Sequence, residues 1–157
     1  MITNINYTIN TSVDTTAPIV TINKPESEGI NYSTSSVVFN VTLNENGSCS
    51  YSLNAGTINI TMQNNGNTNF NATNSSIADG TYTVNYYCND TAGNWNRTAS
   101  RAFGIDATKP LINYGARTPQ NGTTQTSNNL FVDVDISELN FANATFRLLK
   151  ISGSSLV

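Results

Sequence analysis

The chain has 157 residues, only 11% of them charged, no histidine and a net charge of −3, so its polarity comes from 26 Asn, 22 Thr and 16 Ser. Seven Lys and Arg scattered from Lys24 to Lys150 cannot line a nucleic-acid groove, and no apolar run approaches the roughly 20 residues that span a bilayer. With 38% hydrophobic residues set out at period two, the chain can bury a β core and is not expected to be disordered.

Residues 1–9 lack the basic start and apolar stretch of an export signal, which is expected outside this segment if the protein is exported. The segment Val13-Asp14-Thr15-Thr16-Ala17-Pro18-Ile19-Val20 recurs as Ile105-Asp106-Ala107-Thr108-Lys109-Pro110-Leu111-Ile112, a shift of 92 residues. Lys24-Pro25 is answered by Thr118-Pro119, and Val37 to Val41 by Leu130 to Val134. That period is one small β domain. It divides the chain into residues 1–13, the last strand of a preceding module, residues 14–105, a complete module, and residues 106–157, the first half of a following one. The shared Asp-x-Thr-x-Pro segment is the expected hinge, stiffened by its proline.

Within the complete module the first strand is expected over Ile19 to Asn23. Val37, Phe39, Val41 and Leu43 alternate with Val38, Asn40 and Thr42, which sets a buried face against an exposed one. Asn46-Gly47 turns the chain toward Cys49, Tyr51 and Leu53. Ile58, Ile60 and Met62 supply a fourth strand, and Asn65-Gly66 leads to a fifth around Phe70. Tyr82, Val84, Tyr86 and Cys88 form the sixth, and Ala92-Gly93-Asn94 turns into a seventh holding Phe103 and Ile105. Residues 106–157 repeat the first two strands and place a third over 144–149. Seven short strands with frequent turn signals and no helical period predict an all-β fold, an antiparallel seven-stranded immunoglobulin-like sandwich, with a barrel as the alternative.

Ala78-Asp79-Gly80-Thr81-Tyr82-Thr83-Val84, Asn89-Asp90-Thr91-Ala92-Gly93-Asn94 and the Asp-x-Thr-x-Pro hinge resemble the bacterial and archaeal immunoglobulin-like repeats of large surface proteins and adhesins. The resemblance covers most of residues 14–112 and implies the fold, a tandem array and an extracellular address. In that family function ranges from spacer to adhesin, so the label does not choose between them. In such a sandwich Cys49 and Cys88 fall on neighbouring strands of one sheet, both facing the core, and a disulfide between them is expected, with two buried thiols as the alternative. Without histidine or further cysteine they cannot complete a zinc site. Tyr86, two residues before Cys88, is a candidate for a tyrosine-corner hydrogen bond, or an ordinary core residue.

Twelve Asn-x-Ser/Thr sequons occur, about twice what the composition alone would give. In order they are Asn6, Asn10, Asn31, Asn40, Asn46, Asn59, Asn71, Asn74, Asn89, Asn96, Asn121 and Asn143. Asn40, between the inward Phe39 and Val41, is expected to project its amide into solvent, where a glycan would not disturb the core. Either the set marks a glycan coat, or it reflects a surface rich in neutral residues. Asp14, Asp90 and Asp106, placed at hinges and in the turn before the last strand, are candidate Ca²⁺ ligands at module junctions; no other cofactor is expected. Turn aspartates more often cap their own backbone.

For catalysis, Asp133 and Asp135 are a close carboxylate pair, and they alternate with Leu130, Val132, Val134 and Ile136 as a solvent face would. No enzyme is expected from this segment. The expected function is a structural spacer of an extracellular surface glycoprotein, with two alternatives: an adhesin or carbohydrate-binding module using Trp95 with Tyr87 or Tyr114, and an accessory module of a secreted hydrolase. The expected partners are neighbouring modules, surface glycans or other surface proteins, with no nucleic acid and no membrane insertion.

Overall fold

A computed structural model describes residues 12–138 and 140–147. Residues 1–11 of the strand expected over 1–13 lie outside the described residues, as do the sequons Asn6 and Asn10 and residues 148 and 149 of the strand expected over 144–149. Among the described residues, all regular structure is β. The chain divides between Ala107 and Thr108 into two compact units.

The first unit is sandwich-like, with two sheets. One contains β1 (Val20–Lys24), β3 (Val37–Leu43), β7 (Asn69–Asn74) and β6 (Gln63–Asn64), in the order β1-β3-β7-β6. The other contains β2 (Ile30–Tyr32), β10 (Ser100–Ile105), β8 (Gly80–Asp90), β4 (Gly47–Ser52) and β5 (Ile60–Thr61), in the order β2-β10-β8-β4-β5, with β9 (Trp95–Asn96) paired to β8. Period-two alternation decides which residues enter the core: Val37, Phe39, Val41 and Leu43 are buried, as are Val84, Tyr86 and Cys88 opposite them. Aromatic contacts join the sheets, with Phe39 on β3 at 4.5 Å from Tyr51 and 5.8 Å from Phe103, ring centre to ring centre.

Glycine is required at position 47 because β4 and β8 approach closely there. A Cβ would stand 2.2 Å from the backbone oxygen of Asn89. Across the same strand pair Cys49 faces Cys88, and the two form a disulfide.

Three expectations are corrected. The fourth strand does not run evenly through Ile58, Ile60 and Met62. It breaks at Met62, which plugs the core as the chain crosses from β5 in one sheet to β6 in the other, leaving Ile58 and Ile60 exposed. The sheets are not wholly antiparallel, because β2 runs parallel to β10. Pro25 ends β1, and the chain passes from the edge of one sheet to the edge of the other; Gly29 at φ +72° and its N–H to the Ala102 carbonyl set the new strand. The corner-type bond belongs to Tyr82, whose hydroxyl donates to the carbonyl of Ala78 four residues upstream. Tyr86 instead donates to the distant Lys24 carbonyl at 2.6 Å.

The second unit contains β11 (Leu111–Tyr114) and β12 (Val134–Ser137), paired antiparallel. Ile112 faces Ile136, Asn113 faces Asp135 and Tyr114 faces Val134. Shifted back by 92 residues on β11 and 93 on β12, these are the pairs Val20 with Leu43, Thr21 with Thr42 and Ile22 with Val41 of β1 and β3. No strand forms over residues 144–147.

Candidate functional site

β8 spans Gly80–Asp90, and the candidate Ca²⁺ ligands Asp14, Asp90 and Asp106 divide between its two ends. At its C-terminal end the turn into β9 returns on itself, with the Asp90 N–H donating to the Asn94 carbonyl. Asp90 is only 3% exposed. Its oxygens accept from the Asn94 backbone N–H at 2.8 Å and the Asn94 side-chain amide at 2.7 Å. Burial works to raise the Asp90 carboxyl, but the Asn94 side chain and the N–H groups of Asn94, Gly93 and Ala92 outweigh it, and its pKa lies below the ordinary value.

The entering chain is held to this end by three asparagines. Asn94 donates to the Asp14 carbonyl at 3.1 Å, Asn96 donates to the Pro18 carbonyl at 2.9 Å, and Asn44 accepts from the Ile19 N–H at 2.7 Å. Proline cannot continue a ladder, so side-chain amides satisfy the backbone that Pro18 leaves unpaired. Asp14 also caps its own turn, accepting from the Thr16 N–H at 2.9 Å.

Asp14, Asp90 and Glu45 each bring a carboxylate oxygen within 4.8 Å of the other two. Glu45, just before the Asn46-Gly47 turn, was not singled out in the sequence; the signal was its place in a turn at the same end of the module. Partial burial raises its pKa, and the charges of Asp14 and Asp90 raise it further. Three carboxylates offer part of the six to eight oxygens that Ca²⁺ takes. Asp106 is not among them. Its N–H donates to the Tyr32 carbonyl at 2.9 Å, and the next N–H, of Ala107, donates to Asp79 at 2.8 Å, beside the first residue of β8. Ten strand steps place that end about 33 Å from Asp90.

These opposed shifts predict a turning point in acid. Glu45 binds its proton more tightly when folded, so its charging costs stability as pH rises above its ordinary value of about 4.5. Asp90 holds its proton less tightly when folded, so its contribution is present above its ordinary value of about 3.8 and is lost as pH falls through its lower folded value. Glu26, held down to about 2 by Lys24 and the Tyr32 hydroxyl, likewise loses its contribution as pH falls below 4.5, so the melting temperature is expected to rise as pH falls toward 4.5 and to drop below it. Glu45→Gln should abolish the rise and keep the drop; a variant that keeps both would assign the rise to other groups.

Trp95 is 48% exposed, and the Arg97 guanidinium lies 4.9 Å from its ring centre. It faces Asn89 across the β8–β9 pair, so Trp95, Asn89 and Tyr87 share the outer face of that sheet. Tyr114 lies in the second unit and is exposed.

The sequons differ in what their amides do. Asn31, Asn46, Asn59 and Asn121 are exposed, and Asn71 and Asn74 are half-buried. Asn143 is exposed as well. Asn40 does not project freely into solvent. Its Nδ2 donates to Asn69 and to the Phe70 carbonyl, both at 3.1 Å, while its oxygen accepts from Asn23 at 2.7 Å, a polar ladder across β1, β3 and β7. The amides of Asn89 and Asn96 likewise donate to backbone carbonyls, those of Asp90 and Pro18.

No family model and no curated protein matches the chain. Among solved structures, it is similar to an engineered protein, at 18% identity and a TM-score of 0.45, over 56% of this chain and 20% of that one. It is also similar to CopC from Methylosinus trichosporium OB3b, at 13% identity and a TM-score of 0.41, over 51% of this chain and 85% of that one. The chain thus spans about one fifth of the length of the engineered protein.

Proposed function

We propose that the chain is a piece of an exported, non-enzymatic surface protein in which residues 14–105 form an immunoglobulin-like spacer module set in a tandem array. One observation carries this reading: the chain enters the first unit at the Asp90 end of β8 and leaves it at the Gly80 end, the opposite-end placement that a spacer module needs. The Cys49–Cys88 disulfide supports an oxidising, extracellular setting, since such bridges rarely persist in a reducing cytosol.

The partition of strands supports the immunoglobulin-like assignment. An immunoglobulin sandwich places its first, second, fourth and fifth strands in one sheet and its third, sixth and seventh in the other. β1, β3, β6 and β7 share one sheet here, and β4, β8 and β10 the other. The matched registers of β1–β3 and β11–β12 support the repeat. A structural Ca²⁺ at the entry end belongs to this reading, with Asp14, Glu45 and Asp90 as its ligands, and calorimetric titration with Ca²⁺ checks it.

Non-reducing peptide mapping of protein from its native source tests the exported setting. Linked cysteines with glycans on Asn31, Asn46, Asn59 or Asn121 are expected; free thiols with bare asparagines would overturn it. A second reading, an adhesin or carbohydrate-binding module, is favoured by Trp95 and Tyr87 on one exposed face. Undiminished binding to surface glycans by Trp95→Ala would remove it.

A further inference from the structure

An asparagine followed by glycine is open to attack by its own backbone, because the next nitrogen belongs to a residue with no side chain to shield it. The chain has three such pairs, Asn46-Gly47, Asn65-Gly66 and Asn121-Gly122, of which the first two lie in the first unit. The fold treats these two differently. Gly47 begins β4, its N–H donates to the Asn67 carbonyl at 3.2 Å, and the Asn89 carbonyl leaves no room at its Cα. Its nitrogen reaches the Asn46 side chain only when the start of β4 opens. Gly66 instead lies in the exposed turn between β6 and β7, at φ +86°, with nothing within 4 Å of the place its Cβ would take. The Asn65 N–H donates to the Asn69 carbonyl at 2.8 Å and the Asn67 N–H to the Asn64 Oδ1 at 2.6 Å, so the turn is held on both sides. Between those bonds, the Gly66 N–H has no acceptor and the Asn65 side chain no hydrogen bond among the described residues.

We propose that Asn65 is a site of spontaneous deamidation, at which the folded chain modifies itself while Asn46 is protected. The Gly66 nitrogen attacks the Asn65 side-chain carbonyl carbon and forms a C–N bond, closing a cyclic imide. The bond from that carbon to Nδ2 breaks, and Nδ2 leaves as ammonia with the proton that the Gly66 nitrogen gives up. Water then adds to either imide carbonyl and opens the ring, leaving an aspartate at position 65 or its isomer linked through the side-chain carboxyl. Water is the co-reactant, and no oxidation or reduction takes place. Each event adds one negative charge to a chain that carries −3. The charge is placed on the turn whose Asn67 and Thr68 carbonyls accept from Gly47 and Leu43, the two ends of the loop that carries Glu45. The end of the module where Asp14, Glu45 and Asp90 gather therefore grows more acidic as the chain ages. The inference rests on this turn alone and does not depend on the spacer reading.

Peptide mapping by mass spectrometry tests it on the oxidised 157-residue chain, incubated over weeks at neutral pH and physiological temperature. Fragmentation that tells aspartate from its isomer reads the product. Asn65 is expected to convert at least about tenfold faster than Asn46, because the start of β4 opens only rarely. The same chain, reduced and held in urea, loses the fold and keeps the sequence. There Asn46 should convert at a rate similar to that of Asn65. An Asn65 that stays intact, equal rates in the folded chain, or an Asn46 that remains slow after unfolding would each overturn the proposal, the last by assigning the contrast to local sequence instead of structure.

Discussion

Reduction of the Cys49–Cys88 disulfide is expected to destabilise the first unit by about 4 kcal/mol, the loop entropy released when a closure of about 40 residues is opened. In a domain of this size each kcal/mol moves the melting temperature by roughly 4–8 °C, so the midpoint should fall by about 15–30 °C. Both cysteines are buried at the centre of the β4–β8 pair. Reductant must therefore reach the bridge through unfolding, and the oxidised form should resist it in the cold. Paired thermal melts of the oxidised chain and of the Cys49→Ala/Cys88→Ala double variant measure the effect. A drop of less than about 5 °C would mean that core packing, rather than the bridge, limits stability.

Phe39→Ala should cost about 3–5 kcal/mol, a large part of the 5–15 kcal/mol that a domain of this kind retains. Phe39 is fully buried and is the residue at which the sheets meet, touching Tyr51 on β4 and Phe103 on β10. Its loss leaves a cavity between β3 and the facing sheet, where β4 is held to β8 by the disulfide and has little freedom to collapse. The next residue supplies the control. Val38 is 46% exposed on the outer face, and Val38→Ala should stay within about 0.5 kcal/mol of the unaltered chain. Denaturant titration of both variants checks the pair; equal losses would contradict the inward and outward assignment of β3.

The alternation of Val37 to Leu43 and of Tyr82 to Cys88 was legible because a half-buried strand writes its faces into the sequence with period two. The disulfide was legible because Cys49 and Cys88 take core-facing positions on neighbouring strands, where the structure pairs and joins them. β2 was missed because three residues, Ile30–Tyr32, carry too short a pattern to announce a strand. The break at Met62 was missed because Ile58 and Ile60 continue the alternation although the chain changes sheets.

At the entry end, Asp14 and Asp90 were visible as turn aspartates. Asn44, Asn94 and Asn96 were not visible as clamps on the hinge, because their partners are backbone carbonyls and an N–H of residues 14–19. Asn40 was misplaced for a related reason. Its outward register was read correctly, but an outward amide beside Asn23 and Asn69 binds its neighbours across the sheet instead of facing water.

Single-molecule extension with handles at residues 12 and 107 tests the spacer account most directly. A module that stands in series should hold its folded length, roughly 33 Å along β8, until a discrete rupture. With the 39-residue separation between Cys49 and Cys88 kept closed, that rupture should release about 160 Å of chain, and reduction should add about 140 Å more. Gradual lengthening without a rupture, or a release unaffected by reduction, would contradict a stapled module built to carry tension end to end.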